Sequence, residues 1–210
     1  MVLQLGAPTN AGLGAVSTHT ITIGNDDAPP PAPVITSPLP GSLTNDNTPT
    51  ISGTAQAGAT VEVFDGAVSL GTTVATGGAW SLTPAALTDG SHTVTARATD
   101  GAGNTSPLSA GVTFTVDATL PAAPVVTSPT QNEILTTSTP TITGTAEANA
   151  TVTILIDGAV SGTTPADGAG VWGYTVSAAL ATGPHTVAAR ATDAAGNTGS
   201  DSGTTSFTAP

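Results

Sequence analysis

The sequence predicts an all-β chain built from two tandem sandwiches, and three observations carry that reading. First, the chain repeats itself: TISGTAQAGATVEVF from Thr50 returns as TITGTAEANATVTIL from Thr141, and HTVTARATDGAGNTS from His92 returns as HTVAARATDAAGNTG from His185. Offsets of 91 and 93 residues with nine and twelve matches in fifteen define modules of roughly ninety residues. Second, short alternating runs bounded by Gly, Pro, Asn and Asp recur about every ten residues, as in β-sandwiches. Third, no stretch carries a helical period.

In the first module the alternation places strands near 34–37, 49–54, 60–64, 69–75, 79–83, 92–99 and 111–116. Seven strands suit an immunoglobulin-like sandwich. Successive side chains in a strand point to opposite faces. Val61 and Val63 therefore point inward and Glu62 outward, and Val94, Ala96 and Ala98 point inward against Thr93, Thr95 and Arg97. In the second module Val152, Ile154 and Ile156 take the inward places. Asp65-Gly66 and Asp157-Gly158 mark tight hairpins. Gly90 and Gly183 precede the two His-Thr-Val strands.

The linkers APPPAP (28–33) and LPAAP (120–124) are proline-rich, hence short, extended and stiff, so the modules are expected to stand end to end. The expected division is 1–28 as the closing strand or strands of a truncated upstream domain, 29–118 as module 1 and 119–210 as module 2. Aligning APVITSP with APVVTSP places Asp26 opposite Asp117, and the strand 18–23 where a preceding domain would end. The start, MVLQLGAPTNAG, has neither a basic region nor a long apolar run, so it does not read as a secretion signal and the chain reads as an internal piece of a longer protein.

Composition narrows the function. Hydrophobic residues make up 38%, only six residues are aromatic, and Ala, Val and Thr dominate, so each module rests on a small β-branched core. Cys is absent, which leaves metal ions or neighbour contacts as the available staples. Fourteen acids face two bases, Arg97 and Arg190, for a net charge of −12. Nucleic acid and anionic membrane surfaces need clustered cations and are excluded as partners. No apolar run is long enough to span a bilayer, so direct membrane insertion is not expected. With so few bases, the carboxylates are either solvated or hold a hard cation from outside.

The most closely copied stretch is a polar loop, Asp100–Asn104 and Asp193–Asn197. It joins the last two strands of each module, at the pole where the chain enters. For module 2 that pole gathers Asp117 from the linker, Glu147 from the TAEANA loop, Asp193 and Asn197, an oxygen set suited to Ca²⁺. The counterpart before module 1 is Asp26, Gln56, Asp100 and Asn104, with Asp27 or water completing the shell. Gln56 in place of Glu147 makes that site one charge weaker. The alternative is local: Asp and Asn in a hairpin loop bond their own backbone, and the intervening Gly supplies positive φ. At the opposite pole Asn45-Asp46-Asn47, Asp65 and Asp89 read as solvated loop residues, with a secondary metal site as the competing reading.

His92 and His185, without Cys or a second His nearby, read as structural. Trp80 and Trp172, with Tyr174, read as core or its rim; a sugar-stacking platform is the competing reading. No Ser–His–Asp ordering, nucleophile elbow or phosphate-cradling loop is present, so no catalysis is expected.

The string TPTISGTA…GATVEVFDG…GAWSLTPAALTDGSHTVTARATDGAGNTS…FTVD resembles the bacterial Ig-like repeats of giant repetitive surface adhesins, including type I secreted RTX and biofilm-associated proteins. The resemblance covers residues 29–210; LGAPTNAGLGAVSTHTITIGNDD looks like the closing strands of a Calx-β domain over residues 3–27. It implies an extracellular, cell-surface extender, monomeric, whose partners are neighbouring modules and whose adhesive ligand binds elsewhere. It also implies junction calcium at Asp117, Asp193 and Asn197, and at Asp26, Asp100 and Asn104. Two departures stand out: Gln56 where Glu147 has an acid, and an end at Ala209-Pro210 before any equivalent of Asp117. The competing functions are a glycan- or matrix-binding module and an accessory domain of a secreted enzyme.

Overall fold

The computed structural model describes residues 28–210, all in β-strands, turns and connecting segments. Asp26, Asp27 and the strand expected at 18–23 lie outside the described residues.

Module 1 comprises β1 (Val34–Ser37), β2 (Leu43–Thr44), β3 (Ile51–Thr54), β4 (Thr60–Asp65), β5 (Val68–Val74), β6 (Ala79–Leu82), β7 (Gly90–Thr99) and β8 (Val112–Val116). Three strands form one sheet in the order β1-β3-β6, and five form the other in the order β2-β8-β7-β4-β5. Module 2 repeats the plan with β9 (Val125–Ser128), β10 (Glu133–Ile134), β11 (Thr141–Thr145), β12 (Thr151–Ile156), β13 (Ala159–Pro165), β14 (Val171–Thr175), β15 (Gly183–Thr192) and β16 (Thr205–Ala209). Its sheets are β14-β11-β9 and β10-β16-β15-β12-β13. The seven expected strands are present, with boundaries shifted by one or two residues.

Two features differ from the sequence reading. β2 and β10 were not foreseen: each is two residues long and pairs in parallel with the last strand of its module. Two residues show no period, and Pro-Leu-Pro-Gly just before β2 hides the fact that the chain is crossing from one sheet to the other. Gly90 and Gly183 lie inside their strands rather than before them, paired with Val116 and Ala209. Both hold φ near +130°, so the strand opens on a residue only glycine accommodates comfortably.

The period-2 faces are as expected. Val61, Val63, Val94, Ala96 and Ala98 are fully buried, as are Val152 and Ile154, with Ile156 buried beside them. Phe114 and Phe207, from the closing strands, supply the largest fully buried side chains. Trp80 and Trp172 close the sandwiches from the three-stranded sheets, each lying against the glycine it pairs with, Gly53 and Gly144. The glycine of the TI-x-GTA repeat is thus explained: a Cβ at Gly53 or Gly144 would meet both the indole and a carbonyl of the neighbouring strand.

The junction between modules as candidate functional site

Pairing Thr60 with Thr99, and Thr151 with Thr192, sets which loops share a pole. Gln56 and Asp100 line one surface cleft with Ala28. In module 2 the same register puts the Glu147 loop and the Asp193–Asn197 loop at the end facing module 1.

The Asp–Asn loop builds itself from its own atoms. Asp193 Oδ1 accepts from the Asn197 amide at 2.8 Å and Oδ2 accepts from Asn197 Nδ2 at 2.8 Å. Asp193 N donates back to Asn197 O at 3.0 Å, and Gly196 takes φ +92° to close the turn. The first module repeats this: Asp100 Oδ1 accepts from Ala102 N and Asn104 N, and Oδ2 from Asn104 Nδ2. Those bonds, led by the Asn104 side chain, hold the Asp100 carboxyl below its ordinary value. This is the local turn chemistry that competed with the cation reading.

One contact reaches further. Asn197, only 6% exposed, also donates from Nδ2 to the main-chain oxygen of Asp117 at 2.7 Å. Its amide nitrogen thus faces two acceptors, which orients the side chain. Asp117 N donates to Thr44 O in module 1 at 2.9 Å. A single linker residue is therefore held by one module through its N–H and by the other through its C=O. Asp89 of module 1 grips the next two residues, accepting from Ala118 N through Oδ1 and from Thr119 Oγ1 through Oδ2. These bonds, the Thr119 hydroxyl first, hold the Asp89 carboxyl below its usual range. Pro121 is buried with its oxygen over Gly199, where a Cβ would come within 2.2 Å. Asn45 Nδ2 of module 1 lies 3.8 Å from where a Cβ of Gly196 would stand.

The expected carboxylate cage does not form as such. Among the described residues no three His, Cys, Asp or Glu side chains come together closely enough to hold a metal. Glu147 is exposed, Asp193 spends both oxygens on Asn197, and one Asp117 oxygen faces Thr119 N at 3.3 Å. The strand register brought these residues to one pole; local turn bonds then engaged the oxygens of Asp193 and one of Asp117, while Glu147 stays exposed. The acids of the other pole need a correction too. Asp46 accepts from both Thr48 N and Thr48 Oγ1, Asp65 binds His92, and Asp89 binds the linker, so all three are structural rather than simply solvated.

Both histidines are structural, as expected. Asp65 Oδ2 lies 2.7 Å from His92 Nδ1 while its Oδ1 accepts from Thr93 N, and Asp157 does the same for His185 at 2.6 Å and for Thr186 N. Trp172 is buried, and Tyr174 is partly covered and spends its hydroxyl on Ser161 O at 2.7 Å, so the aromatic platform that a glycan-stacking site needs is not formed. Arg97 and Arg190 pair with Glu62 and Asp201.

Sandwiches of a three- and a five-stranded sheet, repeated in tandem and tied through a hydrogen-bonded linker, define a modular immunoglobulin-type array. The family model of the bacterial Ig-like domain matches residues 40–118 and again 127–209, and the chain belongs to that family. No curated protein matches the sequence. Among solved structures, the fibronectin(III)-like modules of Clostridium thermocellum CbhA share the fold with a TM-score of 0.51 at 20% identity, over 84% of this chain and 93% of that one. A biofilm-associated protein BSP domain aligns at TM-score 0.32 and 19% identity over 85% of this chain and 29% of its own. The human OSCAR ligand-binding domain aligns at 0.36 and 16%, over 84% and 98%.

Proposed function

We propose that this chain is a non-catalytic spacer segment of a large bacterial cell-surface adhesin of the RTX or biofilm-associated kind. It would act outside the cell as a monomer, with its partners the neighbouring modules of the same chain and its adhesive target bound elsewhere. The observation that supports this reading most is the linker itself: Asp117 is bonded through its N–H to module 1 and through its C=O to module 2. A junction ordered from both sides holds successive modules in a fixed relation, which is what a spacer has to do. The glycan-binding alternative loses its support with the burial of Trp172 and the engagement of Tyr174.

Calcium at the junctions is a separable part of the proposal. What supports it is the donor set: Asp117, Glu147 and Asp193 share a pole, and the four ion pairs among the described residues engage other acids. The residues that would hold it are those three with Asn197, and Asp26, Asp27, Gln56, Asp100 and Asn104 before module 1. As they stand, the described side chains do not form the cage, so an ion would reinforce a junction already tied by hydrogen bonds. Extracellular Ca²⁺ sites work with dissociation constants of about 10⁻⁴ to 10⁻³ M, and a hundredfold excess of ligand over such a constant stabilises by about 2.7 kcal/mol. For a module of this size that raises the melting midpoint by roughly 10–20 °C. Melting in calcium against chelator checks it. An Asp193→Ala variant should lose the increment; a midpoint unmoved by calcium in the parent chain would remove calcium from the proposal and leave the spacer standing.

A further inference from the structure

His92 stands at the start of β7 with an oxygen in front of each ring nitrogen: Asp65 Oδ2 at 2.7 Å from Nδ1, and the Thr88 carbonyl at 2.8 Å from Nε2. Both partners are acceptors, so both bonds form only when both nitrogens carry protons. The ring is packed against Phe114, 5.8 Å between centroids, and is 8% exposed. Asp65 is the charged group bonded to it from the β4–β5 hairpin, Phe114 faces it from β8, and Asp89 follows Thr88 on the loop before β7. Thr88 thus faces the imidazole ring, and the very next residue is the carboxylate that holds Ala118 N and Thr119 Oγ1 of the linker.

Module 2 repeats the arrangement, although in a hairpin of the same length its aspartate stands one position later, in the turn after β12 and not at the end of the strand. His185 lies 2.6 Å from Asp157 Oδ2 and 2.8 Å from the Ala181 carbonyl, with Phe207 at 5.8 Å. The residue after Ala181 again grips the exit of its module, Thr182 Oγ1 donating to Pro210 O at 2.9 Å. A second copy with the same two acceptors and ring neighbour shows that the arrangement belongs to the module, while the gripping residue differs, a carboxylate that accepts in module 1 and a hydroxyl that donates in module 2.

We infer that each module carries a proton-dependent staple at its exit pole, in which the doubly protonated histidine anchors the loop that grips the outgoing linker, so that the junction is tight while the histidine is charged and loosens as rising pH removes its proton. When His92 gives up a proton, one of its nitrogens faces an oxygen lone pair to lone pair. The Thr88 anchor is then lost and Asp89 is free to drift from Ala118. The environment favours the charged ring: burial opposes the charge, but the Asp65 hydrogen bond, the Thr88 carbonyl and the Asp65 charge outweigh it, and the His92 pKa is raised above its ordinary 6.5. His185 is raised as well, by the Ala181 carbonyl and then Asp157, against burial. A raised histidine stabilises fully below its unfolded value and loses that contribution as pH climbs through the folded one. The staple needs no metal and builds on the spacer reading only in using the same linker.

The test is amide hydrogen exchange at Ala118 in the full chain, in chelator, from pH 5.5 to 8.5, corrected for intrinsic rates and referenced to the core amide of Ala98. Ala118 protection should fall about tenfold, as one lost hydrogen bond allows, with a midpoint matching the His92 titration seen by NMR. His92→Gln should flatten the profile, His185→Gln should leave it intact, and Asp89→Ala should lower Ala118 protection at every pH. Should His92→Gln fail to fold, the coincidence of the two midpoints in the parent chain decides. Ala118 protection that stays constant while His92 titrates, or a profile abolished by His185→Gln, would overturn the staple; the modules would still be held in line at low pH if the spacer reading is right.

Discussion

Replacing Gly144 with alanine is expected to cost module 2 about 3 kcal/mol or more, at the upper end of overpacking effects, and to lower its melting midpoint by roughly 12–24 °C. The added methyl would stand 2.2 Å from the Val125 oxygen and 2.3 Å from Trp172 Cζ2. Neither can retreat. Val125 is held in register on β9 opposite Thr145, and Trp172 is buried between the sheets. Gly53→Ala should behave alike in module 1, with Val34 O at 1.9 Å. Gly168→Ala is the matched control, since no atom lies within 4 Å of its Cβ position and its φ is not positive. Calorimetry on the two-module chain reads all three; a shift at Gly144 no larger than that at Gly168 would contradict the packing described for the Trp–Gly pair.

Asn197→Ala carries the next largest effect, and it bears on the junction directly. The variant leaves the Asp117 carbonyl and Asp193 Oδ2 without the donor that the buried Nδ2 gives both at 2.7 and 2.8 Å. A buried acceptor left unpaired costs about 1–3 kcal/mol; these two are only partly buried, so the low end applies and module 2 should melt earlier by roughly 4–8 °C. The larger change is mechanical, because module 2 loses its bond to Asp117. NMR relaxation should report one overall correlation time for both modules in the parent chain and two in the variant. A variant that melts and tumbles like the parent would show that the linker is ordered by its prolines alone.

The fold was legible because the core is built from β-branched and small residues at strict alternation, and because the two copies confirm each other. Val61 and Val63, or Val152 and Ile154, announce their faces in a few residues. β2 and β10 carry no such signal. Neither does Gly53 or Gly144, whose need for glycine comes from an indole some thirty residues away in sequence (Gly53 pairs with Trp80, Gly144 with Trp172).

The site was legible as a place more than as an arrangement. Repetition of Asp–x–x–x–Asn and the register of Asp26 with Asp117 pointed to the junction, and strand pairing does bring Asp193 and Glu147 to one pole. What the oxygens do there depends on rotamers and short-range competition. Asp193 is claimed by its own loop, and Asn197 presents nitrogen, not oxygen, to the linker. The Asp65–His92 and Asp157–His185 pairs were missed for a related reason: the Asp-Gly pair falls one position later in the second hairpin than in the first, so the partners sit 27 and 28 residues apart and look unrelated until folded. Their signal was present as an Asp-Gly turn and a histidine opening a later strand, in both copies.

A linker tied to both modules should hold them in one relation. Because the chain has no cysteine, two can be introduced without background. Thr72 and Thr163 are exposed positions on the equivalent edge strands β5 and β13, so spin labels there report the relation between modules and nothing within them. The expected result, in chelator at neutral pH, is a single narrow distance distribution that broadens in Asn197→Ala. A broad distribution in the parent chain, unchanged by that substitution, would show that the linker does not fix the relation between modules.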